Sequence, residues 1–128
     1  MFEITINDKV YGFKFGLGFV REINKKMTKP MEGVPGKVQE IGLQYYIGCL
    51  FDEDPVALVE VLEIANKTEK ERVTRTLLDN YIEDENTDIE QLFAEVLDFL
   101  KKANATKKIA LAMQELYNTE KAKAEAAV

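Results

Sequence analysis

Residues able to do acid–base, nucleophilic or metal chemistry are few in this chain of 128 residues, and their spacing is poor. There is no histidine, which removes the commonest general base, the Ser/His and Cys/His pairs and the imidazole metal sites. Cys49 stands alone inside the apolar run Ile41–Phe51 and reads as a small buried hydrophobe rather than a nucleophile or zinc ligand. Gly16-Leu17-Gly18 lies at a strand-to-helix junction, where backbone amides can cradle phosphate. The dinucleotide fingerprint, however, needs glycine where Arg21 stands, and the P-loop needs a Lys-Ser/Thr pair that is missing. The two glycines are therefore read as permitting a sharp turn and close packing of helix on strand. Asp84, Asn86, Asp88 and Glu95 occupy positions one, three, five and twelve of a calcium loop, but Ile89 takes the sixth position, where glycine makes the turn. The other clustered carboxylates, such as Asp52-Glu53-Asp54, sit at helix starts or on polar faces. No catalytic residue, cofactor or metal is expected, and the reading from residues alone is a small α-rich binding protein.

Composition narrows the class further. The length suits one domain with a real core, and 46% hydrophobic residues is ordinary for a globular protein. The apolar run Ile41–Phe51 is too short to span a bilayer, and Met1-Phe2-Glu3 begins no secretory signal, so the expected location is the cytoplasm. A net charge of −6 with only short basic pairs, Lys25-Lys26 and Lys107-Lys108, argues against nucleic acid as partner and favours another protein.

The elements that must position any site begin with a hairpin. Phe2, Ile4 and Ile6 alternate with Glu3 and Thr5, and Tyr11, Phe13 and Phe15 alternate with Val10, Gly12 and Lys14, with Asn7, Asp8 and Lys9 as the turn. An isolated hairpin is marginal in water, so helices must cover its aromatic face. The spacing predicts an α+β fold, mostly α: an N-terminal β-hairpin over about 2–15 packed against five or six helices. These are expected over about 17–27, 37–51, 55–66, 69–83, 88–103 and 106–118. Lys29–Gly36 is a Pro/Gly connector whose Met31 and Val34 leave open a contact that orders on binding. Asp54-Pro55 reads as a cap and first turn, and Thr68-x-x-Glu71 and Thr87-x-x-Glu90 read as capping boxes. A single globular domain is expected over 1–118, followed by a polar tail, 119–128, with helical propensity but frayed ends.

Three stretches together resemble a known family. They are F-x-I-x-I-N-D-K-x-Y-x-F-K-F-G-x-G-F over Phe2–Phe19, R-E-I-N over Arg21–Asn24, and the later AN, LLDNYIED and DIEQLF-x-EVLDFLK segments. The sequence is similar to the tail assembly chaperones of long-tailed phages and prophages of Gram-positive bacteria, from Phe2 to about Lys108. The resemblance implies a non-catalytic protein that binds the tape measure protein in the infected cell. It would keep that protein soluble while the tail tube is built, and be absent from the finished virion. The tail tube protein is implied as a second partner. The resemblance also implies that in many such phages a ribosomal frameshift gives a longer product.

A tape measure protein is long, helical and rich in apolar stripes, so its chaperone should offer apolar grooves or helix faces. The helix over 37–51 is apolar on two sides and is either central in the fold or shared with a partner. Its Leu43, Tyr46, Ile47 and Leu50, with Ile109, Met113, Leu116 and Tyr117 on the last helix, are the candidate protein-binding residues. Self-association through the same faces is a further expectation. The competing functions are a structural tail component, such as a terminator or connector subunit, and a small nucleotide-binding enzyme resting on Gly16-Leu17-Gly18.

Overall fold

The computed structural model describes residues 1–126 and has the expected α+β architecture, with β1 (Phe2–Ile6) and β2 (Lys9–Phe13) forming an antiparallel hairpin followed by six helices. Asn7 and Asp8 both adopt positive φ, 52° and 66°, which makes the connection a two-residue turn of the type that matches strand twist. Lys9, expected in the turn, is instead the first residue of β2 and pairs with Ile6. Phe2, Ile4, Ile6, Tyr11 and Phe13 all point inward, so the alternation read from the sequence is the buried face. Phe2 meets Phe99 edge-on at 5.1 Å, and the Lys14 amide donates to the Ala65 carbonyl at 2.8 Å, seating the hairpin on two later helices.

Helix α1 (Leu17–Asn24) buries Phe19 and Ile23 and ends a turn before the expected Met27. The chain then forms a second antiparallel hairpin, β3 (Thr28–Pro30) with β4 (Val38–Glu40), where a connector and a helix start were expected. Its turn is closed by Met31 N–H donating to the Lys37 carbonyl, with Gly33 and Gly36 at positive φ. Every residue of this arm is exposed, so it has no apolar alternation by which a strand is recognised.

Helix α2 (Gly42–Phe51) thus starts five residues later than expected. Its first turn lies against the end of α1 so closely that a Cβ on Gly42 would come within 1.7 Å of the Ile23 carbonyl oxygen. The Asn24 side chain accepts from the Leu43 amide at 2.9 Å, capping α2 from another helix. The glycine demanded by close packing is therefore Gly42. A Cβ at Gly16 would meet only the flexible Lys14 side chain, and one at Gly18 would make ordinary contact with Thr68, so those two are not required for the packing anticipated there. Helix α2 is central: it packs on α1, α3 (Pro55–Asn66), α5 (Ile89–Lys102) and α6 (Lys107–Ala126).

Asp54 caps α3 as expected, accepting from the Val56 and Ala57 amides with Pro55 in the first turn. The helix after it does not follow the Thr68 capping box; α4 (Arg75–Glu83) begins six residues later, with Thr74 accepting from the Leu77 amide. The reason is Asn66, buried at the end of α3. Its amide group donates to the Gly12 and Glu71 carbonyls at 2.8 and 2.9 Å, and its oxygen accepts from the Val73 amide at 2.7 Å. One side chain thereby ties β2 to α3 and holds residues 71–73 in an irregular path. At the next junction Asp88, not Thr87, caps α5 by accepting from Gln91 N–H, while the Thr87 hydroxyl donates to the Tyr81 carbonyl. Helix α5 buries Leu92, Phe93, Val96 and Leu100, the stripe read from its spacing. Thr106, fully buried, donates to the Leu100 carbonyl and turns the chain into α6. That helix continues to Ala126, past the end expected at 118; residues 127 and 128 of the expected tail lie outside the described residues.

Candidate functional site

The eight residues singled out on α2 and α6 are divided between the core, the contact of α2 with α6 and the surface. Leu43, Ile47 and Leu50 are core residues, the last two fully buried, and offer a partner no surface. The reason is that this stripe faces the core, where α2 packs on α1, α3 and α5, while α6 covers the neighbouring strip of α2. There Met113 lies 3.3 Å from the position a Gly48 Cβ would take, and Phe51 stacks on Tyr117 with centroids 5.3 Å apart. Tyr46 is half-buried, and its hydroxyl donates to the Glu60 carboxylate. Burial, and then that carboxylate, push the Tyr46 phenol well above its ordinary range. Ile109 and Leu116, seven residues apart on one side of α6, are exposed, and Leu111 is exposed on another side. From residue 118 on, α6 is exposed all round.

The carboxylates of the calcium-loop pattern are engaged within the fold, and the one thiol is partly covered. Cys49 is half-buried, and burial raises its thiol above the usual value, which disfavours the thiolate. Asp84 accepts from the Asn86 amide, Asp88 caps α5, and Glu95 accepts from the Gln91 side chain. Among the described residues no three of His, Cys, Asp or Glu come together in a way that could hold a metal ion.

An apolar recess lies elsewhere, between α3 and α4. It has a volume of about 500 Å³ and is floored by Pro55, Val56, Val59, Ile82 and Ile89, with Glu60, Arg75, Asp79 and Glu83 on its walls. Beyond its first residue, Pro55, helix α3 is buried on nearly every side and shows solvent only the strip Val56, Glu60 and Glu63, at i, i+4 and i+7. Val56 is 66% exposed at the mouth of the recess. A large aliphatic side chain left open beside a continuous apolar trough has the composition of a binding groove rather than of ordinary surface.

The walls are electrostatically one-sided. Arg75, the only cation among the lining residues, is engaged outside the trough by Glu63, with Nε at 3.0 Å and Nη2 at 3.3 Å from the two carboxylate oxygens. Glu60 accepts the Tyr46 hydroxyl. Asp79 and Glu83 make no hydrogen bond or ion pair with any described residue. They stand at i and i+4 on one edge of α4, an arrangement that costs a helix roughly 0.2–0.5 kcal/mol. Glu83 also closes a helix with no basic residue in its last turn, where the backbone dipole disfavours negative charge.

Val56, Asp79 and Glu83 were not among the residues the sequence nominated. The single local signal was Val56, which falls outside the inward stripe Leu58, Val59 and Leu62 and on the same strip as Glu60 and Glu63. The trough itself depends on the late start of α4, which Asn66 sets and helical spacing cannot show.

A family model described as phage tail assembly chaperone protein matches residues 3–114. The chain belongs to this family. No curated protein and no solved structure matches it. The matched span takes in the hairpin, the arm β3–β4, every helix through α5 and the packed first part of α6. A tail assembly chaperone works by holding other proteins, so the open trough and the outer side of α6 are the parts of this fold to weigh. Among the described residues no helix is long and apolar enough to cross a membrane.

Proposed function

We propose that this chain is a non-catalytic chaperone of tail assembly that binds the tape measure protein in the cytoplasm of the bacterial host and keeps it soluble while the tail tube forms. The observation that carries this reading is the open apolar trough between α3 and α4 in a member of the tail assembly chaperone family. A long helical client exposes apolar stripes before its tube surrounds it, and a groove between two helices receives such a stripe as a third helix would. Ile109 and Leu116, backed by Met113 and Tyr117, form a second strip on α6 that a long client reaches in the same complex. The tail tube protein is the second partner, and an unoccupied chaperone self-associates through these same apolar surfaces. The acidic balance of the chain, −6 overall, keeps the loaded complex soluble.

Co-expression tests this directly. With the chain present, the tape measure protein from the same genome moves from the pellet to the supernatant and co-purifies; purified virions lack the chain by mass spectrometry. A tape measure that stays insoluble and does not co-purify would remove the reading.

A further inference from the structure

We propose that the trough between α3 and α4 is a docking site for an amphipathic helix whose apolar stripe is edged by lysine or arginine, and that Asp79 and Glu83 select it. The apolar stripe of the incoming helix seats on Val56, Val59, Ile82 and Ile89. Its basic edge lies along the wall of α4, where Asp79 and Glu83, one turn apart, form no ion pair with any described residue and only Asp79 lies near enough to the Arg75 guanidinium to feel its charge. The only lining guanidinium, Arg75, is paired with Glu63, and Glu60 is held by the Tyr46 hydroxyl. A cation set between Asp79 and Glu83 relieves both their mutual repulsion and the unfavourable charge at the end of α4. The free protein thus carries a charge arrangement that a basic partner improves.

The occupant is a helix rather than a strand. No strand lines the trough, so an extended chain would leave its backbone amides and carbonyls unpaired against an apolar floor. A helix satisfies its own backbone and packs by ridges into the groove between α3 and α4. The wall formed by Arg75–Glu83 is about 13 Å long at 1.5 Å per residue, the length of two to three turns of a partner. This deepens the chaperone reading, from which the natural client is taken, while the chemistry of the site stands on the trough itself.

The test uses two designed helical peptides of about 15 residues, long enough to be partly helical alone. Both carry the same leucine stripe, one edged by lysine and the other by glutamate. The full chain is titrated with each and followed by amide chemical shifts and calorimetry. The lysine-edged peptide should bind and move resonances in Val56–Glu60, Arg75–Glu83 and Ile89. It should lose about tenfold or more in affinity for the double variant Asp79→Lys, Glu83→Lys, and weaken as salt is raised. The glutamate-edged peptide should prefer that double variant. All the altered positions are exposed, and an unchanged melting curve confirms that each variant is folded. Equal affinity of the lysine-edged peptide for both proteins, shifts confined to α6, or no binding would overturn the proposal. So would a concentration-dependent dimer that Val56→Asp dissolves and that the peptide does not displace, because the trough would then belong to a second copy. If the double variant fails the lysine-edged peptide yet still keeps the tape measure soluble, the chaperone reading survives and the trough is not where that client binds. Peptide selectivity as expected without any tape measure binding would leave the docking site standing and remove the assignment of its client.

Discussion

Replacing Asn66 by alanine should destabilise the fold more than its size suggests, because one buried amide serves three distant backbone groups. The substitution strips partners from the Gly12 and Glu71 carbonyls and from the Val73 amide, beside a side chain that is only 8% exposed. At about 1 kcal/mol net for each hydrogen bond, the loss is about 3 kcal/mol, a large part of the stability of a domain this size. For a chain between the size classes of the usual scaling, that lowers Tm by about 10 °C. Urea unfolding followed by circular dichroism gives the free energy, with Asn118→Ala on exposed α6 as a control expected within about 0.5 kcal/mol of the parent. The mechanism has its own signature: hydrogen exchange at the Val73 amide should speed up, while exchange in α5 follows only the global loss. A cost below about 1 kcal/mol, or an unchanged Val73 amide, would refute the idea that Asn66 sets the path of residues 67–73 and hence the start of α4.

Glycine replacements in α2 should diverge. Gly42→Ala should cost more than about 2 kcal/mol, since its Cβ meets the Ile23 carbonyl at 1.7 Å; Gly48→Ala should fall within about 1 kcal/mol of the parent, helix propensity offsetting a small shift of the mobile Met113 methyl, and thermal melts decide both. Tyr46→Phe should flatten the alkaline limb of the stability curve. The folded phenol is raised above its ordinary 10.0, so the unfolded chain loses its proton first; the linked stability is complete below pH 10 and is lost as pH rises through the folded value. Urea titrations from neutral pH to about pH 11 should show a steeper slope in the parent than in the variant, where Tyr45, Tyr81 and Cys49, also raised, still contribute. Ending the chain after Asn118 should leave Tm unchanged within a degree or so, because residues 119–126 are exposed and the only ion pair among the described residues there, Lys123 with Glu120, is a surface contact.

Much of this architecture could be read from the chain because burial imposes periods. Phe2, Ile4 and Ile6 report a half-buried strand, and Leu92, Phe93, Val96 and Leu100 report a helix face, with no knowledge of what covers either. Asp54-Pro55 announces α3 because the cap is built from adjacent residues. What could not be read was set by contacts between distant residues. The arm β3–β4 buries nothing and so leaves no pattern. Thr68-x-x-Glu71 is a sound local start signal, but Asn66 holds the following segment in another path; Thr68 instead donates to Glu69. The apolar excess of α2 was legible, though not its division: Leu43, Ile47 and Leu50 enter the core while Met113 and Tyr117 of α6 cover the strip beside them. An interaction surface is what remains after such faces have been matched, which is why the α3–α4 trough emerges only from the folded arrangement.

Hydrogen exchange on the free chain and on its co-purified complex with the tape measure protein tests the central claim most directly. The nine-residue helix α4 is short and largely exposed, so its amides should open readily in the free chain. In the complex, Arg75–Glu83 and the first turns of α3 and α5 should gain protection, while the hairpin Phe2–Phe13 stays as it was. Protection confined to the arm β3–β4 or to the end of α6, with α4 unchanged, would contradict it.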